Sequence, residues 1–156
     1  MILGYVPIPK GLVIPELVKR DSRDSDLTPR NGLSVPFGAD CWLATRQAVP
    51  HEDDSYQGSY FLTLSIQSRH RVGDAKACDP GLYVPAGTLF VIDPRVVHWL
   101  FAVDAQEANA WRSWIGVQWE VSRRGAKAKA REIMMDYKGS WNQGIEGRYR
   151  SWLPEE

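Results

Sequence analysis

Residues 59–67, SYFLTLSIQ, alternate along their whole length: Tyr60, Leu62, Leu64 and Ile66 fall on one side, Phe61, Thr63, Ser65 and Gln67 on the other. Successive side chains of a strand point to opposite faces, so this period of two predicts a strand with one fully apolar face. The second face, with Thr63, Ser65 and Gln67, reads either as the lining of an internal cavity or as a wet sheet surface. Runs of the same character occupy residues 40–49, 82–84, 88–92, 95–103 and 110–121. Pro85, Ala86 and Gly87 separate the runs at 82–84 and 88–92. Short strands punctuated by Gly and Pro at this density predict a sandwich, barrel or jelly roll.

The pattern changes near the C-terminus. Ala126, Ala130, Ile133, Met134 and Tyr137 make one stripe at helical spacing, which predicts a helix within residues 123–139. Ser122 is placed to cap its start and Gly139 its end. Trp141, Tyr149 and Trp152 follow among glycines and charges, and are expected to wrap back onto the body, since an exposed tail would leave them in water. At the other end, Pro7, Pro9 and Pro15 favour an extended arm over residues 1–20, with a short helical turn near residues 14–19. Residues 21–32 are polar and turn-rich. The expected organisation is one domain over residues 1–156: arm and loop (1–32), β core (33–121), then C-terminal helix and wrap (122–156).

Composition narrows the class. A chain of 156 residues, 44% hydrophobic with 7 tryptophans, is long enough and apolar enough for a single folded core. Lys plus Arg and Asp plus Glu are both 19, so net charge gives no argument for a nucleic-acid or membrane partner and mildly disfavours a duplex-binding protein. Cys41 and Cys78 have no CxxC spacing, which makes a reducing cytoplasm the default. The N-terminus is apolar but broken by prolines and has no basic n-region, so it does not read as a signal peptide, and no apolar run is long enough to span a bilayer.

Among the 3 histidines, His51 stands two positions before Asp53, and His98 lies in DPRVVHWL, near the start of an apolar strand. If residues 51–53 are extended, His51 and Asp53 face the same way and can take adjacent positions on one metal. Two imidazoles and a carboxylate on one face of an ion leave three positions open, the arrangement of non-haem Fe(II) oxygenases. Each element alone has a plainer reading: His51 in an acidic turn, His98 as a satisfied core histidine. His70, in QSRHRVGD, reads as a loop residue.

The order of these elements resembles the Fe(II)- and 2-oxoglutarate-dependent oxygenases of the double-stranded β-helix (jelly-roll) fold. The residues that carry the resemblance are His51 and Asp53, the segment GLYVPAGTLFVIDPRVVHWL leading to His98, and Arg112 followed by Ser113; it covers roughly residues 35–121. The family has one residue between that arginine and serine, and this chain has none. The resemblance implies a mainly β, jelly-roll fold with the C-terminal helix outside it. It implies Fe(II) on His51, Asp53 and His98, and 2-oxoglutarate as co-substrate, with Arg112, Ser113 and Thr63 as its binding residues. It also implies O2 as a reactant and a substrate left unidentified.

Chemistry suits each role. A guanidinium binds a carboxylate through two parallel hydrogen bonds that lysine cannot copy. Arg112 on the side of Trp114 and Gln118 would be buried and need an anion; Trp111, Ile115, Val117 and Trp119 form the competing apolar face, and alternation leaves both orientations open. Asp54 reads as a partner for His51 or as a solvated acid, Tyr60 as a core residue or a co-substrate contact, and Arg95 as shaping the turn before His98 or meeting substrate. Two other functions fit the same letters: a cupin-type metal enzyme that does not use 2-oxoglutarate, and a non-enzymatic jelly-roll binding module.

Overall fold

A computed structural model describes residues 1–20, 33–56, 58–75, 81–103 and 113–142. Its strands are β1 (Ile2–Tyr5), β2 (Cys41–Thr45), β3 (Ala48–His51), β4 (Ser59–Gln67), β5 (His70–Asp74), β6 (Leu82–Tyr83), β7 (Thr88–Ile92), β8 (His98–Ala102), β9 (Trp114–Ser122) and β10 (Ser140–Trp141), with helices α1 (Glu16–Arg20) and α2 (Ala126–Asp136). They form two antiparallel sheets, the larger in the order β10-β1-β7-β4-β9-β2 and the smaller β3-β8-β5-β6. The protein is therefore mainly β with one substantial helix. No helix among the described residues is long and apolar enough to cross a membrane.

The pairings are nested. β2 pairs with β9, β3 with β8, β4 with β7 and β5 with β6, so the run from β2 to β9 is one long hairpin folded across the two sheets. The pairs β4–β9 and β5–β8 then complete each sheet. This alternation lays the beginning of β8 beside the end of β3.

The larger sheet is covered on both sides, which explains why β4 is buried from Tyr60 to Ile66. Tyr60, Leu62, Leu64 and Ile66 join Ile115, Val117 and Trp119 of β9 beneath Ala126, Ala130, Ile133 and Met134 of α2, with Leu3 and Val6 of the N-terminal arm beside them. Full burial of aliphatic side chains of this size contributes about 1.5–3 kcal/mol each. The opposite face meets the smaller sheet, where Val72, Phe90, Leu100 and Trp114 make a second cluster. Thr63 and Ser65 are thus enclosed and not wet. Ser65 Oγ accepts from Trp114 Nε1 at 3.0 Å, and Gln67 Nε2 donates to the Ser113 carbonyl at 2.9 Å.

Several elements differ from the sequence reading. The arm contributes a strand: β1 lies between β7 and β10. The run at residues 40–49 is two strands in different sheets. α2 begins at Ala126 after Gly125, while the Ser122 hydroxyl accepts the Gly125 N–H at 3.0 Å in the preceding turn. At the other end Lys138, not Gly139, takes the left-handed conformation (φ 54°), and the Gly139 N–H closes onto the Met134 carbonyl at 2.8 Å. Gly139 serves close packing instead: a Cβ there would meet Met134 and stand 2.9 Å from the Tyr5 carbonyl oxygen. Trp141 returns to the body through β10, opposite Gly4 of β1, whereas Tyr149, Trp152, Cys78 and the polar run at 21–32 lie outside the described residues.

His70 is not in a loop. It opens β5 and is 1% exposed, and its Nε2 donates to the Arg46 carbonyl at 2.7 Å. The polar letters around it concealed a strand whose His70 and Val72 turn inward. Burial lowers the His70 pKa below its ordinary 6.5, with the Arg46 carbonyl acting in the opposite direction. On acidification the unfolded chain takes up this proton first, so the contribution of His70 to stability is full above pH 6.5 and declines as pH falls toward the depressed folded value. Urea midpoints should therefore drop more for the parent than for His70→Asn between about pH 7 and about pH 5.5. Equal drops would contradict the assignment.

Gly116 lies where Trp114 and the paired strand β4 approach closely. A Cβ there would stand 2.5 Å from ring carbons of Trp114 and 2.6 Å from the Leu64 carbonyl oxygen, a backbone atom of the paired strand. Gly116→Ala is expected to destabilise the fold by about 1–3 kcal/mol, the usual range for overpacking. Equilibrium denaturation measures this, and an unchanged midpoint would contradict it.

Candidate metal centre

β3 and β8 run antiparallel with His51 opposite His98, the last residue of one strand against the first of the other. After His51 the chain turns away through Glu52 and Asp53 into a 3-10 turn at Asp54–Tyr56. Asp53 is held by its backbone at both sides: its N–H donates to the Pro94 carbonyl at 2.9 Å, and its own carbonyl accepts the Tyr56 N–H at 3.1 Å. Pro94 belongs to the turn that leads into β8. Asp93 Oδ1 accepts the Arg95 N–H at 3.1 Å, and the Asp93 carbonyl accepts the Val96 N–H at 3.0 Å. Asp followed by Pro suits this turn, because the side chain bonds its own backbone and Pro pre-sets the next φ.

These elements bring His51, Asp53 and His98 together, with one donor atom from each inside a 4.8 Å group. Asp53 Oδ2 lies 3.2 Å from His98 Nε2 and 3.7 Å from His51 Nε2, and the two imidazole centres are 4.3 Å apart. Bonds of about 2.1 Å at right angles need donors about 3 Å apart, so the group is close to what a divalent ion requires.

The ring orientation supports the same use. His51 Nδ1 donates to the Val49 carbonyl at 2.7 Å, and His98 Nδ1 donates to the Val96 carbonyl at 2.8 Å. Each carbonyl lies two residues before its histidine, fixes the ring, and turns Nε2 toward Asp53. A ligating histidine typically has its second nitrogen engaged in this way. His51 is oriented by that carbonyl and not by Asp54.

Electrostatics tie the three groups together. The hydrogen bond from His98 lowers the Asp53 pKa; burial opposes it, and the charges of His98 and His51 reinforce it. For His98, burial works against the charged ring, but the Asp53 and Val96 bonds and the Asp53 charge outweigh it and hold its pKa above 6.5. A metal ion at this point competes with the shared proton.

A cavity of about 160 Å³ runs from the three residues into the space between the sheets. Its walls are largely apolar: Phe61, Phe90, Trp99, Leu100 and Trp114. Thr63 and Gln118, register partners on β4 and β9, add a buried polar pair, with Thr63 Oγ1 3.5 Å from Gln118 Oε1. Asp53 and Glu120 are its acidic members, and no lysine or arginine lines it among the described residues.

The other sequence candidates fall at different places. Ser113 is buried but outside the cavity wall, and its carbonyl receives Gln67. Arg112 lies outside the described residues. Tyr60 packs in the outer core with the Arg123 guanidinium 4.2 Å from its ring centre. Arg95 pairs with Asp93 at 3.3 Å and so shapes the turn. Sequence reasoning missed Trp99 as a wall and the Val49 and Val96 carbonyls as ring anchors. No side-chain letter signals a backbone carbonyl, although Pro94 does mark the turn that presents Val96. Set against family models, curated proteins and solved structures, the chain matches none of them.

Proposed function

We propose that the protein is a jelly-roll oxygenase that holds Fe(II) through His51, Asp53 and His98 and uses 2-oxoglutarate and O2 to hydroxylate, or oxidatively demethylate, its substrate. The observation that carries this reading is the convergence of those three side chains with both Nδ1 atoms already engaged by carbonyls. The nested pairing of β2–β9 across two sheets supports a jelly roll, which is a long hairpin rolled into a double layer. Two imidazoles and one carboxylate suit iron and leave one side of it open.

Bound there, iron would supply the redox chemistry: O2 oxidises a C–H bond of the substrate while 2-oxoglutarate is converted to succinate and CO2. The protein's own contribution is positional. His51 and His98 would offer their Nε2 atoms to the ion, and Asp53 its carboxylate. The apolar walls exclude water from the space behind the centre. Arg112 stands in this reading, on its sequence context, as the partner of the far carboxylate. A reducing cytoplasm, where Fe(II) persists, is the proposed compartment.

Anaerobic titration tests the proposal. Fe(II) should bind, and 2-oxoglutarate should then produce a visible metal-to-ligand charge-transfer band. A chain that ignores Fe(II) would be a binding module instead. A second reading is a metal enzyme of the same fold that does not use 2-oxoglutarate, which needs the three ligands but not Arg112. Binding of Fe(II) with no response to 2-oxoglutarate would select it.

A further inference from the structure

We propose that Arg123 is a positioning residue for the metal centre: it pins the turn at residues 93–97, whose carbonyls hold Asp53 and the His98 ring. This rests on the metal-binding reading above and adds a residue that lies outside the centre itself.

The turn presents three carbonyls outward. Pro94 accepts the Asp53 N–H at 2.9 Å, Val96 accepts His98 Nδ1 at 2.8 Å, and Val97 accepts the Ala75 N–H at 2.9 Å. Two of the three candidate ligands therefore take their position from this one turn. What fixes the turn is Asp93, whose side chain is only 4% exposed and meets two guanidinium groups. Arg95 belongs to the turn itself and is 44% exposed, so it moves with the turn and cannot anchor it.

Arg123 comes from elsewhere. It follows the end of β9, and its N–H donates to the Gly58 carbonyl at 3.1 Å. Its guanidinium lies over the Tyr60 ring of β4 and reaches Asp93 Oδ2 at 2.6 Å. The contact joins the turn to β4 and β9, two interior strands of the larger sheet. Without Arg123 the buried Asp93 keeps only the exposed Arg95, which moves with the turn, so nothing from the larger sheet would hold the carboxylate in place and the turn would shift toward solvent. His51 offers an internal control, because its ring is fixed by Val49 of its own strand and not by this turn.

The test is Co(II) titration of the full chain, following the visible d–d bands, with proton NMR of the Co(II) form reading the exchangeable Nδ1–H of each ligating histidine. Arg123→Met should weaken Co(II) roughly ten- to a hundredfold, the usual cost of losing a group that orients metal ligands. It should speed solvent exchange of the His98 Nδ1–H and leave that of His51 unchanged, whereas Arg123→Lys should recover most of the affinity. A purely structural Arg123 would lower the denaturation midpoint without moving either reading, and Arg123→Met binding Co(II) as tightly as the parent overturns the inference. If Arg123→Met does not fold, Arg123→Gln, which keeps a polar group but loses the charge, decides: weaker binding with faster exchange at His98 alone supports the inference, and parent-like binding overturns it. A parent chain that ignores Co(II) refutes the metal-binding reading itself, and the inference falls with it.

Discussion

His98→Ala is expected to abolish metal binding and leave the two sheets in place. His98 contributes one of three donors, and its Nε2 is the nearest to the shared Asp53 oxygen, at 3.2 Å against 3.7 Å for His51. Alanine leaves one imidazole and one carboxylate. Groups that merely orient ligands are worth about ten- to a hundredfold in affinity, so losing a ligand should exceed about a hundredfold. The fold should persist because His98 stands at the edge of the cavity, while the nearby apolar cluster is built from Val72, Phe90, Leu100 and Trp114. Fe(II) or Co(II) titration beside near-ultraviolet circular dichroism makes the measurement. An alanine variant that keeps its fold and binds within tenfold of the parent would mean His98 is not a ligand.

Arg112→Lys carries the second large effect and separates the co-substrate from the metal. Lysine keeps the charge but loses the two-pronged hydrogen bonding of a guanidinium. If Arg112 holds the far carboxylate of 2-oxoglutarate, the loss should be about 1.5–3 kcal/mol, as for a charge-assisted hydrogen bond. That is about ten- to a hundredfold in affinity, with Fe(II) binding unchanged. The charge-transfer band reads 2-oxoglutarate binding, and a metal titration without 2-oxoglutarate reads the metal. A lysine variant that binds 2-oxoglutarate like the parent would remove Arg112 from the site, and with it the main distinction from a metal enzyme that needs no 2-oxoglutarate.

What the sequence revealed, and what it concealed, follows from where the information lies. The alternation in residues 59–67 belongs to a strand buried on both faces, and its apolar half is the outer core as expected. Whether Thr63 and Ser65 were wet could not be read locally, because the smaller sheet that covers them is built from other regions of the chain. β5 was missed for a related reason. Gly73 and its charged neighbours look like a turn, and the strand exists because β8 pairs along its whole length and Trp99 fills the space above Gly73. The three candidate ligands were legible because i, i+2 spacing and the Asp-Pro turn are local signals. The carbonyls that orient them, and the link from Asp93 to Arg123, belong to tertiary structure.

The nested hairpin also governs the order in which the molecule can be made. A chain leaving the ribosome N-terminus first presents β2, β3, β4 and β5 before any strand they pair with in the hairpin has been synthesised. Among the described residues β2 pairs only with β9, and β3 only with β8. Closing long loops costs entropy before the contacts reward it, so such topologies fold slowly and leave strand edges uncovered meanwhile. The innermost pair, β5 with β6, has the shortest loop to close, and the outermost waits for Trp114–Ser122. His51 and His98 sit on the second-outermost pair. A nascent chain therefore cannot bring the three residues together early: His51 and Asp53 wait for a histidine made after seven of the ten described strands, so any ion that needs all three donors would be bound only after most of the hairpin has been synthesised.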